Sequence, residues 1–365
     1  MSDNNVLFAG LPRTPEIFLR SLTTVAQLQA EGLVDRILVS TWHSERDTFR
    51  NLCRTIYSSF PNARIFLLTS LPPAVGFNPN PYGNPLHQNL AIGKGLEILP
   101  QDGWVLRTRA DLYLGRDLLL HLFTNIRRNM EAPSGVTSVL GKRIWVPWLD
   151  ALHPFYIGDE CFYGQVRDVA RVVNCDATLY VCCFPSINAH INLHYFPFMK
   201  SFRMFLTYFE LSRAYNIRLE AWLAMPKSRF RHKAYVKMIA LYWKIMLDNY
   251  VTFSLFGDDG QLEFYPAGQS KAPLYEMNRL ADIPRDFDTF VAGVDALRWS
   301  RTFLQCRDDR ILKEVVARTM EQGGHLFSEC WAEIERGDFG DDAWWRSSLE
   351  ALMHEIAPET KLAPG

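Results

Sequence analysis

A chain of 365 residues, 48% hydrophobic and 22% charged, can bury the core of one large or two modest domains. Its formal net charge of -1 argues against a nucleic-acid binder, which carries a basic excess or a basic face. Seven scattered cysteines without a C-x-x-C spacing argue against a zinc ribbon. The opening MSDNNVLFAGLPRT lacks the pattern of a signal peptide, and no apolar run reaches membrane-spanning length. These features predict a cytoplasmic protein with free thiols.

The first part of the chain predicts alternating strands and helices. Val6–Ala9 is a short apolar strand closed by Gly10-Leu11-Pro12. Thr14-Pro15-Glu16 then opens a helix that runs to about Glu31 and stops at Gly32. Arg36–Thr41 is a second buried strand, Ser44 caps a helix through Tyr57, and Arg64–Thr69 is a third strand. The irregular stretch Leu71–Pro85 is long enough to suggest a functional loop. A helix over His87–Leu99 precedes the fourth strand, Trp104–Asp111, and Asp117–Met130 is a further helix. Such β-α repeats predict an α/β fold with a mainly parallel sheet flanked by helices. Val136–Pro185 reads as shorter strands of a mixed sheet. Helical character returns at Phe202–Leu223, Lys227–Met246, Arg298–Gln322, His325–Arg336 and Asp342–Ile356. A boundary near residue 200 separates a ligand-binding domain, 1–200, from a mostly helical region, 201–365.

In parallel sheets ligands bind beyond the carboxyl ends of the strands, and Asp111 falls at such an end. Alternation along a strand puts Arg107, Arg109 and Asp111 on one face. Three charges there need a polar ligand or mutual pairing. A carboxylate in this position suits Mg²⁺ or Mn²⁺ bridging to a diphosphate, and the arginines suit phosphate. A structural Arg–Asp network is the competing reading.

Three segments in order, Ile37–Glu45 (ILVSTWHSE), Asn84–Leu99 (NPLHQNLAIGKGLEIL) and Trp104–Leu114 (WVLRTRADLYL), resemble the WavE-type lipopolysaccharide synthesis proteins. The resemblance covers roughly residues 5–200. It implies a GT-A-like, Rossmann-like nucleotide-sugar-binding fold and transfer of a sugar to a growing bacterial surface polysaccharide or lipopolysaccharide. In GT-A transferases a D-x-D motif stands where Asp111 stands here. Residue 113 is Tyr, so a second acid has to arrive from elsewhere, for instance Asp117 or Asp159.

The same resemblance implies a donor site built from Gly10, Pro12 and Arg13 after the first strand, Thr41 and Trp42 after the second, and Gln88 and Lys94 on the following helix. The glycine lets the backbone approach a ligand closely. The segment His153–Gly164 contains Asp159 and Glu160 in aromatic surroundings that raise a carboxyl pKa, so Asp159 first and Glu160 second are the candidate bases for an acceptor hydroxyl. His190 and His194 are four apart, and His194 is a weak metal candidate. The basic, aromatic stretch 227–246 suits peripheral contact with an anionic membrane, where lipid-linked saccharide acceptors reside. Two other readings compete with a glycosyltransferase. Gly10–Thr14 has the look of a phosphosulfate loop, as in a sulfotransferase-like enzyme. The lone Asp111 suits a non-catalytic assembly scaffold with a degenerate transferase fold.

Overall fold

A computed structural model describes residues 3–12, 14–71, 85–130, 135–146, 161–173, 196–199, 204, 233–251 and 325–356. At its centre is a seven-stranded sheet built from β1 (Asn4–Ala9), β2 (Arg36–Trp42), β3 (Ile65–Ser70), β4 (Trp104–Arg109), β5 (Ile144–Trp145), β6 (Cys161–Gln165) and β7 (Tyr250–Val251). The spatial order is β3-β2-β1-β4-β6-β5-β7. The β3-β2-β1-β4 block is parallel, β6 runs antiparallel to both β4 and β5, and β5 and β7 are parallel. The α/β class, with a mostly parallel sheet between helices, is therefore as the sequence predicts.

Helix α1 (Pro15–Ala30) begins with proline, whose missing N–H costs nothing at a helix start. Its buried side chains, Ile17, Phe18, Ser21, Leu22, Val25, Ala26 and Leu28, fall on one face. Leu33 donates its amide to the Leu28 carbonyl beyond Gly32, which takes φ +79° and ends the helix. Helix α2 (Arg46–Ser59) follows a single 3₁₀ turn, His43–Glu45, and packs Phe49, Cys53 and Ile56 inward. With the apolar faces of β1, β2 and β4 these helices form the main core, where Phe18 stands edge-on between Phe8 and Phe49.

Helix α3 (Pro85–Leu96) covers the opposite face of β1 and β2. A Cβ at Gly95 would sit 2.4 Å from Leu7 Cδ1, so only glycine lets the helix approach this closely. Helix α4 (Arg116–His121) is shorter than the predicted 117–130 helix. It continues as a π turn, Leu122–Ile126, and a 3₁₀ turn, Arg127–Asn129. After β6, helix α5 (Val166–Val172) buries Asp168, whose carboxylate accepts the amides of Gly141 and Lys142 at 2.7 and 2.9 Å.

The sheet crosses the boundary expected at residue 200, because β7 pairs with β5. Helix α6 (Lys233–Asn249) leads into β7, and helices α7 (325–335) and α8 (Asp342–Ile356) follow. The lysines of α6 differ from the membrane-facing expectation for 227–246. Lys233 pairs with Glu329 and Glu333 at 2.7 and 2.5 Å, buried Lys237 with Glu333 at 2.8 Å, and Lys244 with Asp248 at 3.5 Å. Lys237 and Lys244 also stand over the rings of Trp344 and Trp331. These three cations join α6 to the segment 325–345. Arg229, Arg231 and His232 lie outside the described residues. No helix among the described residues is long and apolar enough to cross a membrane.

Candidate functional site

The chain order along the parallel block reverses at β1. From β1 the chain steps outward to β2 and β3, then returns to place β4 on the other side. Such a switch point leaves a crevice between the departing connections, at the carboxyl ends of the two central strands. The residues at those ends are Gly10 after β1 and Ala110-Asp111 after β4.

Gly10 takes φ +97°, a conformation unfavourable for other residues, and a Cβ there would meet nothing within 4 Å. Its position is fixed from the β2 side. The Gly10 amide donates to the Ser40 carbonyl at 3.1 Å, and the buried Thr41 hydroxyl donates to the Gly10 carbonyl at 3.1 Å. On the other side Ala9 is in register with Arg109, and the Ala110 amide donates to the Ala9 carbonyl at 3.1 Å. Gly10, Thr41, Arg109 and Asp111 are thus brought to one edge of the sheet. Trp42, half-buried, ends β2 beside them in register with Ser70.

The fourth strand ends at Arg109, two residues before its predicted end. The chain turns over Arg109–Leu112, with the Leu112 amide donating to the Arg109 carbonyl at 3.4 Å. In this turn Arg109 grips Asp111 bidentately, Nε to Oδ1 at 2.8 Å and Nη2 to Oδ2 at 2.7 Å. The pair is partly open, with side-chain exposures of 27% and 13%. Beyond it, Leu112 and Leu114 drop into the core, and buried Ser21 of α1 ties them down. Its hydroxyl donates to the Leu112 carbonyl at 2.9 Å and accepts the Leu114 amide at 3.0 Å. Sequence reasoning missed Ser21, because a single serine in an apolar helix face carries no pattern.

Arg107 does not share the open end with this pair. It lies mid-strand, 1% exposed, opposite Leu7 and Phe162, with its guanidinium 5.3 Å from the Phe162 ring. Tyr113, where a second acid of a D-x-D motif would be, has the Arg20 guanidinium over its ring at 4.4 Å. Asp117 is exposed in the first turn of α4, and Asp168 is engaged by two backbone amides.

Helix α3 runs back toward the start of β4, so its first turn lies nearer the carboxyl edge. Gln88 belongs to that first turn, and its buried Nε2 has no hydrogen-bond partner among the described residues. Lys94 is six residues on, about 9 Å along the axis. It is more than half exposed and lies 3.7 Å from Glu97. The helix thus carries Lys94 away from the switch point, contrary to its expected place beside a diphosphate. Pro12 is buried in the connection to α1. Arg13, Asp159, Glu160, His190 and His194 lie outside the described residues.

Both oxygens of Asp111 accept hydrogen bonds from Arg109, and no group of three His, Cys, Asp or Glu side chains clusters as a metal site among the described residues. Among the described residues Asp111 is therefore held in a guanidinium–carboxylate pair, and Asp159, an expected second acid, lies outside them. The start of α1 is poorly suited to a sulfonate donor, since Pro15 contributes no amide and Glu16 stands in the first turn.

No protein-family model matches the sequence, and no curated protein matches it. Among solved structures, the chain is similar to 4-diphosphocytidyl-2C-methyl-D-erythritolsynthase from Anaerococcus prevotii DSM 20548. The two share 11% identity with a TM-score of 0.30, over 53% of this chain and 82% of that one. A likeness of that size says nothing of activity.

Proposed function

We propose that the chain is a glycosyltransferase of GT-A-like fold that takes a nucleotide-sugar donor at the switch point between β1 and β4. The observation that carries this reading is the Arg109–Asp111 pair, held in a turn beside the open backbone of Gly10. A guanidinium can give one edge to a carboxylate and another to a phosphate. Arg109 is thus the group to meet the charge that develops on a departing nucleoside diphosphate, and Asp111 sets the plane and direction of its guanidinium. The bond formed joins the acceptor oxygen to the donor's anomeric carbon. The bond broken is that carbon's bond to the diphosphate oxygen. In this reading Asp159, or Glu160, takes the acceptor proton, and the acceptor is a bacterial surface saccharide, as the family resemblance implies.

The test is a thermal-shift screen of the full chain against UDP-, GDP- and CMP-sugars, with and without Mn²⁺. Stabilisation by one donor, lost in Asp111→Asn at unchanged melting temperature, supports the site. A folded protein that responds to no donor points to the scaffold alternative. A donor response and turnover that survive Asp111→Asn remove Asp111 from the mechanism. A response that requires Mn²⁺ would show that the donor binds as its metal complex.

A further inference from the structure

A second candidate site lies at the outer edge of the sheet. Helix α2 and the edge strand β3 enclose a cavity of about 400 Å³ lined by Arg46, Arg50, Cys53, Arg54, Tyr57, Ile65, Leu67 and Thr69. Arg46, Arg50 and Arg54 recur every four residues, so one guanidinium projects from each turn of the same helix face. The row spans about 12 Å along the axis. Like charges at this spacing destabilise a helix unless something else compensates them.

The protein itself compensates them weakly. Arg50 meets Asp47 at 3.3 Å, but that carboxylate is 85% exposed and turned to solvent, where such pairs contribute little. Among the described residues Arg54 meets the neutral amide of Asn51, at 3.4 Å. Among the described residues no carboxylate lines the cavity. Its floor is of a different character. Cys53 is buried, Ile65 and Leu67 present apolar surface, and Tyr57 closes one end by donating its hydroxyl to the Ile65 carbonyl at 3.3 Å. Thr69 offers a hydroxyl at the other end, near Arg46. That end opens at the carboxyl edge of the sheet, since Thr69 is in register with Thr41 and Arg46 follows Trp42 by four residues.

We infer that this groove binds an oligosaccharide bearing oxyanions, carboxylate or phosphate, with the arginine row holding the anions and the apolar floor taking the ring faces. Guanidinium forks match both oxyanions. The partly apolar wall distinguishes such a ligand from a bare inorganic ion. The site is separate from the Arg109–Asp111 pair and does not depend on it.

The experiment is calorimetric titration of the full chain with three probes: trigalacturonate, inorganic tripolyphosphate and the neutral trisaccharide maltotriose. Two variants accompany it, Arg46→Gln/Arg50→Gln/Arg54→Gln and Asp111→Asn. All three arginines are partly or fully exposed, so the triple variant should fold, and its melting temperature checks that. The expected result is binding of trigalacturonate, tighter than that of tripolyphosphate, weakened at least tenfold in the triple variant, weakened by added salt, and unchanged in Asp111→Asn. Tripolyphosphate binding as tight as or tighter than trigalacturonate would show an anion site that makes no use of sugar rings, and would overturn the inference. Binding of neither anion, equal binding of maltotriose, or equal binding by the triple variant would overturn the inference. Loss only in Asp111→Asn would place the anion at the switch point and overturn it as well.

Discussion

Ser21→Ala should loosen the turn that presents Asp111, and its effect can be worked from two bonds. The Ser21 hydroxyl lies in a fully buried position, accepting the Leu114 amide and donating to the Leu112 carbonyl. Leu112 and Leu114 are themselves 0% exposed, so water does not replace the lost partner. An unsatisfied buried backbone group costs about 1–3 kcal/mol, and the variant leaves two, giving about 2–6 kcal/mol in total. For 365 residues an unfolding entropy near 2.1 cal/mol/K per residue converts this to a melting-temperature drop of about 3–8 °C. The more specific readout is amide hydrogen exchange. The Leu114 N–H donates to the serine, so its protection should fall before that of the neighbouring strand amides. Thr23→Ala is the matched control. Its hydroxyl donates to Leu19 on the exposed side of the same helix, and removal should change stability by about 0.5 kcal/mol or less. Unchanged melting and unchanged Leu114 protection in Ser21→Ala would show that this serine does not hold the turn.

Gly95→Ala should destabilise the chain by about 1–3 kcal/mol, because the new methyl meets Leu7 Cδ1 and Cδ2 at 2.4 and 2.7 Å. Denaturant titration of Gly95→Ala, Leu7→Ala and the double variant checks the contact. The double variant should lose less than the sum of the singles, and simple additivity would deny that the two residues touch. Alkaline pH should also destabilise the fold. Burial pushes the Cys53 thiol from 9.0 up to about 11 and the Cys330 thiol up to about 12, and it raises the Tyr163 and Tyr250 phenols. The unfolded chain therefore loses these protons first as pH rises. The stability they contribute is whole below pH 9 and declines above it, by about 1.4 kcal/mol per unit for each group in its window. Urea midpoints at pH 8, 9 and 10 test this, and a flat profile would contradict the burial of these groups. At pH 8 the same two thiols should resist alkylation in the native protein and react once it is unfolded.

The parallel block was legible because its signals are local. Strands buried on both faces read as apolar runs such as VLFA and RILVST, and Pro15 and Gly32 mark the ends of α1. What sequence did not carry was contact between distant segments. The lysines of α6 looked like a charged outer face because their partners, Glu329, Glu333 and Glu335, arrive about 100 residues later. The row Arg46, Arg50, Arg54 was visible in a helix predicted over 44–57, but the cavity exists only because β3 packs beside that helix.

The site itself shows how a local pattern misleads. In WVLRTRAD the alternation of polar and apolar residues continues past Arg109 without glycine or proline to mark the turn. Extended backbone would stand Arg109 and Asp111 side by side, pointing the same way out of the sheet. Turning the chain at Ala110 folds one side chain back on the other and makes the bidentate grip possible. The turn in turn needs an anchor, since an exposed ion pair contributes too little to hold it. Ser21 supplies that anchor from α1, 91 residues before Leu112 and 93 before Leu114.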